Sequence, residues 1–590
     1  MKIFNKKQKQ LQGQQHSIIT SDEIKNAASI LAKYKSSKLN LERRIVENEK
    51  WWKMQHWDLI RTQSDNEPEP ASGWLFNSIA NKHADAMDSY PEPSVLPREQ
   101  GDGEYAKILS AILPALLERN DFEKTYSDVW WYKLKTGTGC YGIFWNNTLE
   151  DGKGDVDIRQ IDVLNLFWEG GIKDIQKSRN LFNVELVDND ILESGYPQVA
   201  GRLGTNTIDV AEYLYDDTVD TTNKSAVVDW YYKVKQGKKT VVHYCKFVGD
   251  TVLYASQNDP YYCERGYYDH GLYPFVFDIL FGEEGTPCGF GYIDVMKDSQ
   301  LYIDKLNQII LKNAMQAGKR RFFISDNTGV NEEEFADWSK EFVHVAGNID
   351  ERNMREITVS QLDASVINLL NHKIDELKEI SGNRDVSNGG TISGVVAASA
   401  IAALQEAGGK LSRDMIKNSY RVFRSINYMI IELMRQFYNE ERTFRITADN
   451  GGIDFVKFGG VHSSFADKRP IFDIVVTSAR NSPFSKTAQN ELAKELFAAG
   501  IFNPARAVEA AMCVEMMDFE GKSTVLEKIR TNIDTNRQRE QMTEQMRQMA
   551  NMLQQAYSGG NYMQSANDMV NKAAQTDADS KLSAIRKTMI

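Results

Sequence analysis

Two amphipathic stripes in the middle of the chain constrain its fold most. Val295, Tyr302, Leu306, Ile309, Asn313 and Ala317 fall on one helical face and stop near Gly318. Leu362, Val366, Leu369, Leu370, Ile374, Leu377 and Ile380 recur at three- and four-residue spacing. At 3.6 residues per turn such spacing gathers apolar groups on one side, so both segments are predicted helices with a face to bury. Residues 319–361, about 43 of them, form a short mixed insert between the two. After the second helix comes a run of small polar residues with Gly382, Gly389, Gly390 and Gly394, which reads as a mobile loop.

The flanking sequence alternates in texture. Residues 1–20 are rich in Lys and Gln and aperiodic, an arm rather than an element. Ser21, with Asp22 and Glu23 behind it, predicts a helix start, and that helix is expected to reach about Trp57. Its end holds Trp51, Trp52 and Trp57, a cluster that suits a core or a subunit contact. Residues 66–70 read as a turn or linker, 77–89 as a short helix, and Pro91, Pro93 and Pro97 as a break. A helix-rich stretch at 104–135 gives way to a hairpin-rich β region at 142–281, where Val227–Val234 and Thr240–Val248 flank a Gly237-Lys238-Lys239 turn. Past the glycine loop an alanine-rich helix bends at Gly408-Gly409 and resumes through Leu411, Met415, Val422, Ile426, Ile430, Leu433 and Phe437. Two β segments, 443–447 and 471–477, precede a helical region from about Ser485.

Composition excludes several classes of function. At 590 residues and 42% hydrophobic the chain is no disordered protein, and its length suits about three to five structural units. A formal charge of −12 argues against coating nucleic acid non-specifically, though not against a surface that DNA passes. Five cysteines without a CxxC pair make no disulfide framework and point to a reducing compartment. The best apolar run, 395–404, is ten residues long and interrupted by Ser399, far short of the roughly 18 that span a bilayer. Lys2, Lys6, Lys7 and Lys9 are followed by glutamines rather than an apolar segment, so a soluble, unsecreted protein is expected.

No motif makes a case for an enzyme. Gly137-Thr138-Gly139-Cys140-Tyr141-Gly142 fits a dinucleotide pattern, but its helix precedes the glycines and its strand follows, the reverse of what a pyrophosphate needs. A helix end and tight turn is the better reading. Gly521-Lys522-Ser523 lacks the earlier glycine of a P-loop, since Met516 stands there. His243, Cys245, Cys263 and His270 have no common zinc spacing. Asp155 and Asp157 lie at strand–turn boundaries, where solvation accounts for them. Near the C-terminus Met542, Met546, Met549, Leu553 and Ala556 form a short heptad seam, equally suited to packing within the chain or between subunits.

The succession of helix, insert, helix, glycine loop and long bent helix resembles the stem, clip, stem, tunnel loop and wing of tailed-bacteriophage portal proteins, the head-to-tail connectors of virions. The resemblance rests on Gly289-Phe290-Gly291-Tyr292 leading into Leu306-Asn307-Gln308, and on Ile392-Ser393-Gly394 leading into the alanine-rich helix. It rests further on Ile474-Val475-Val476 before Asn481-Ser482-Pro483-Phe484-Ser485-Lys486, and on Gly500-Ile501-Phe502. Asn77-Ser78-Ile79-Ala80-Asn81-Lys82, the proline run and the Gly137–Gly142 turn carry it into the N-terminal half, so that it spans about residues 40–510.

That resemblance implies a mixed α+β portal fold in which one wing is split in sequence by stem and clip. Residues 1–20 would be a flexible arm, 21–297 the first part of the wing, and 298–318 and 362–381 the stem. Residues 319–361 would be the clip, 382–395 the tunnel loop, 396–483 the rest of the wing and 484–590 a helical crown. It implies a ring of twelve copies at one capsid vertex, a channel for double-stranded DNA, with no cofactor, no catalysis and no membrane. Implied partners are the terminase motor, the major capsid protein and head-completion adaptor or tail proteins, in the virion and, during assembly, in the host cytoplasm.

Site residues follow from the same partition. Asn383, Arg384, Asn388, Thr391 and Ser393 would face DNA from the tunnel loop with mostly neutral hydrogen-bonding groups. Lys319, Arg320 and Arg321 would meet DNA or an acidic partner at the clip. Leu306, Ile309, Ile310, Val366, Leu370, Ile374 and Leu377 would lie at stem contacts between subunits, as a head-to-tail ring needs two different adhesive faces. Another ring-forming head–tail adaptor, or a DNA-processing enzyme with a non-local site, remains as the alternative reading.

Overall fold

The computed structural model describes residues 18–60, 67–99, 102–203, 208–216, 218–237, 239–318, 322–324, 331–336, 344–346, 354–356, 362–382, 410–447, 453–459, 472–478, 495–496, 498–500, 507–515 and 522–556. Two units make up the chain, Met1–Ala479 and Arg480–Ile590. Helix α1 (Ser21–Trp52) starts after Thr20, whose backbone N–H donates to the Glu23 carboxylate at 3.0 Å. Thr20, rather than Ser21, is therefore the cap, and Glu23 closes the box from the third helical position. The helix lays Ile24, Ala27 and Leu31 on Phe182, Val228 and Trp230, and ends in the predicted tryptophan cluster. Trp51 is buried, Trp52 stacks on Phe76, and the Trp57 indole donates to the Pro70 carbonyl at 3.0 Å.

After helix α2 (Trp74–Met87), the proline run makes a strand, β1 (Pro91–Pro97), instead of breaking the chain. The hydrogen bonds explain how. The Val95 N–H and C=O both meet the Ser110 hydroxyl, at 2.8 and 3.2 Å, on the edge away from the partner strand. Residues of the same parity point the same way in a strand, so Pro91, Pro93 and Pro97 lack N–H groups only where no ladder bond is made.

Helices α3 (Gly103–Arg119) and α4 (Phe122–Thr136) fill the middle of the main core. Gly137 caps α4 at φ 90°, and a Cβ there would lie 2.3 Å from the Phe290 backbone, so the glycine run is the helix end expected, followed at once by strand β2 (Thr138–Asn146). Strand β3 (Asp155–Gln160) pairs with it. Strands β4 (Leu166–Trp168), β5 (Asn180–Asp188), β6 (Lys224–Gln236), β7 (Lys239–Val248) and β8 (Thr251–Ala255) form a five-stranded antiparallel sheet in sequence order, with the expected hairpin at Gly237. Strand β9 (Phe275–Ile279) joins β2 and β3 in a three-stranded sheet of order β3-β2-β9.

Helix α5 (Tyr292–Gly318) and helix α6 (Ala364–Ser381) then pack on each other. In the insert, two three-residue strands, Phe322–Ile324 and Met354–Glu356, pair antiparallel. Helix α7 (Lys410–Phe437) returns to the core laid down before the pair, against β2, β9 and α2. Strands β10 (Arg442–Thr447), β11 (Ile453–Phe458) and β12 (Phe472–Ser478) follow, and β12 pairs with β1, joining Val95 to Ile474 across most of the unit. The fold is mixed α+β, as expected.

Asp155 corrects the sequence reading. It is buried, not solvated, and accepts from Arg119 at 2.9 Å and from the Tyr438 hydroxyl at 2.5 Å. In the second unit, helix α8 (Ala507–Glu515) lays Ala510, Ala511 and Val514 on Ile529 of helix α9 (Lys522–Ala556). The heptad residues Met542, Met546, Met549 and Leu553 of α9 are exposed.

Candidate functional site

The hairpin of α5 and α6 has a buried root and a projecting tip. On α5 the buried side chains are Tyr292, Ile293, Met296, Ser299, Gln300, Ile303 and Asp304, and none beyond Asp304. On α6 they are Leu377 and Ser381, at its C-terminal end. Apolar periodicity alone picks another side of α5: Val295, Tyr302 and Ile309 are 40%, 52% and 48% exposed. The inward side was hidden because three of its members, Ser299, Gln300 and Asp304, are polar and are paid for by hydrogen bonds rather than by apolar area.

Those bonds converge on Asp304. Its carboxylate accepts from the Ser72 N–H at 3.1 Å, the Ser72 hydroxyl at 2.8 Å and the Gln300 amide at 3.0 Å. His56 Nδ1 lies 2.6 Å from its other oxygen, and His56 Nε2 lies 3.1 Å from the Trp51 carbonyl. The segment after Ser72 in space, but before it in sequence, continues along α5. Pro68 accepts from Gln308 at 3.0 Å and Glu67 pairs with Lys312 at 2.5 Å, so contacts step along α5 at 304, 308 and 312, one turn apart. The stretch read as a linker is thus a strap holding the projecting helix.

A second anchor ties the elements before and after the hairpin. Lys133 of α4 and Asp278 of β9 pair at 2.7 Å, and the Ser419 hydroxyl of α7 sits 2.7 Å from the lysine and 2.6 Å from the carboxylate. Burial holds the Lys133 ammonium below its usual range, with Asp278 opposing that shift. Sequence reasoning missed both anchors, since the partners lie 145 and 248 residues apart.

Of the expected stem residues, Leu377 is enclosed in the subunit's own core, while Leu306, Ile310, Val366, Leu370 and Ile374 are half-buried and Ile309 is exposed. Further apolar side chains sequence did not single out stand exposed beside them: Leu311 and Met315 on α5, Ile367 on α6. Lys319, Arg320, Arg321, Asn383, Arg384, Asn388, Thr391 and Ser393 lie outside the described residues, as do the glycine loop and the alanine-rich segment.

His243 Nδ1 is 3.2 Å from the Ser256 hydroxyl, burial pushes the Cys245 thiol up to about 12, and burial lowers His270 to about 4. Among the described residues no group of three His, Cys, Asp or Glu side chains could hold a metal ion, and no helix is long and apolar enough to cross a membrane.

A family profile described as phage P22-like portal protein matches residues 84–582. The chain belongs to that family. The match covers the β1–β12 pair, both helices of the hairpin and most of the second unit, and it extends past residue 510, the end of the residue-level resemblance. It begins at residue 84, after α1, whereas the residue-level resemblance starts at about residue 40. No curated protein matches the chain. The portal family is structural rather than enzymatic, a class of bacteriophage virion proteins concerned with DNA packaging and the head–tail connection.

Proposed function

We propose that this portal-family chain assembles head to tail into a closed ring, of twelve copies, at one capsid vertex, and that double-stranded DNA enters and leaves through the ring. The observation that carries the reading is the rooted hairpin within a family match of nearly 500 residues. A projecting pair of helices with Tyr302, Ile309, Leu311, Met315 and Ile367 exposed is an unsatisfied apolar surface, and a neighbouring copy is the partner a ring supplies.

In this reading α5 and α6 from Asp298 onward are the stem, and the insert between them is the clip, which docks the terminase motor during packaging and an adaptor or tail protein afterwards. The elements on either side, tied by Lys133, Asp278 and Ser419, are one wing. The second unit is the crown, with the exposed methionines of α9 turned to neighbouring copies. Residues 382–395 face the DNA. Capsid protein surrounds the ring in the virion, and assembly takes place in the host cytoplasm. The acidic balance suits a conduit, because every phosphate gripped by a cation releases counterions and resists sliding.

Native mass spectrometry of the purified chain tests the reading. A single closed oligomer of about twelve subunits is expected. A chain that stays monomeric at high concentration overturns it.

A further inference from the structure

The hairpin leaves one charged surface unexplained. Arg413, Lys417, Arg421 and Arg424 of α7 are all exposed. At 100° per residue they fall within a sector of about 80°, opposite the buried Met415, Ser419, Phe423, Ile426 and Ile430. The stripe runs about 16 Å along the helix axis, close to the length of five base-pair steps.

The helix that carries it cannot roll. Besides the bonds of Ser419 to Lys133 and Asp278, the Asn418 amide donates to the Ile279 carbonyl at 2.8 Å and the Tyr420 hydroxyl to the Ser89 carbonyl at 2.9 Å. Acids border the stripe: Asp85 accepts from the Ser412 hydroxyl at 2.8 Å, next to Arg413. Asp414 is exposed at its edge, and Asp473, whose carboxyl is held low first by Arg98 and then by Arg424, already bonds Arg98 at 2.8 Å. Within a chain of formal charge −12, α7 therefore presents a rigid cationic face.

We propose that this stripe binds the phosphate backbone of double-stranded DNA. Three of its four cations are arginines, whose planar forks match phosphate oxygens, and a straight helix spaces them regularly along one line. Between Arg413 and Arg424 that sector holds no aliphatic side chain, and the exposed Tyr428 lies one turn beyond it, whereas the centre of a protein–protein contact is apolar and poor in charge. Recognition through phosphates reads no sequence, and four contacts hold DNA weakly at physiological salt. The stripe stands independently of ring assembly: a monomer that binds DNA through it keeps this inference and loses the ring.

The test is fluorescence anisotropy of a labelled duplex with the full-length protein, repeated across salt from about 50 to 200 mM. Wild type is compared with the quadruple variant Arg413→Gln, Lys417→Gln, Arg421→Gln and Arg424→Gln, whose retained fold is checked by its melting midpoint. Wild-type affinity is expected to fall steeply with salt, and the variant to lose at least about 3 from the slope of log K against log salt, at about 0.9 per phosphate. Absence of wild-type binding at the lowest salt overturns the proposal, as does a variant that keeps the full slope. A variant that keeps DNA binding but changes oligomeric state overturns it too, and assigns the stripe to an acidic face of a neighbouring copy.

Discussion

Lys133 and Asp278 form an ion pair 2.7 Å apart with neither side chain exposed, and Ser419 bonds both. Each comes from a different stretch of sequence, two before the projecting hairpin and one after it, so the trio fixes where the chain must return. Removing one partner of such a pair leaves the other charged and unpaired, at a loss of about 3–5 kcal/mol. Lys133→Met is therefore expected to lower the melting midpoint sharply, and Lys133→Met with Asp278→Leu to recover most of the loss. Equal melting of Lys133→Met and wild type would contradict the assignment.

Proline parity in β1 gives a sharper contrast. Ser94 pairs with Val475 of β12, on the parity that carries ladder bonds, while Pro93 lies on the other. Ser94→Pro should remove a ladder N–H and destabilise by about 1–3 kcal/mol, whereas Pro93→Val should be tolerated. Amide exchange in β12 reads the difference directly, since only Ser94→Pro should accelerate it.

Lys38 provides a pH signature. Burial lowers its ammonium from the ordinary 10.5 to about 8, although Glu42 and the Leu164 carbonyl at 2.8 Å attend it. Between those values the unfolded chain holds a proton that the folded chain has lost, so stability rises with pH there. Relative to Lys38→Met, wild type should gain up to about 1.4 kcal/mol per pH unit between pH 8 and 10. Parallel pH profiles for the two proteins would show that the lysine stays charged.

Hairpins, helices and the glycine turn were legible because their signals are local: the Gly237 turn between β6 and β7, the three- and four-residue spacing of α5 and α6, the Gly137 cap. What could not be read is what distant residues settle. The β1–β12 pair hides behind prolines, and its logic lies in where Ser110 sits. The inward face of α5 is polar, so counting apolar residues selected Val295, Tyr302 and Ile309, which point out. Asp155 looks like any turn aspartate until Arg119 and Tyr438 reach it. The stripe on α7 was present in the sequence as Arg413, Lys417, Arg421 and Arg424, but a net charge is a sum and conceals a local excess.

The proposed DNA-facing role of the residues after α6 can be tested by replacement. Replacing residues 383–394 by a short Gly/Ser linker should leave rings intact while impairing packaging or retention of DNA. Loss of rings would make this segment a structural element of the subunit instead.

Electron-microscopy class averages viewed down the particle axis test the central claim most directly. The account predicts closed rings of twelve subunits around an open channel. Monomers, or filaments that never close, would contradict it.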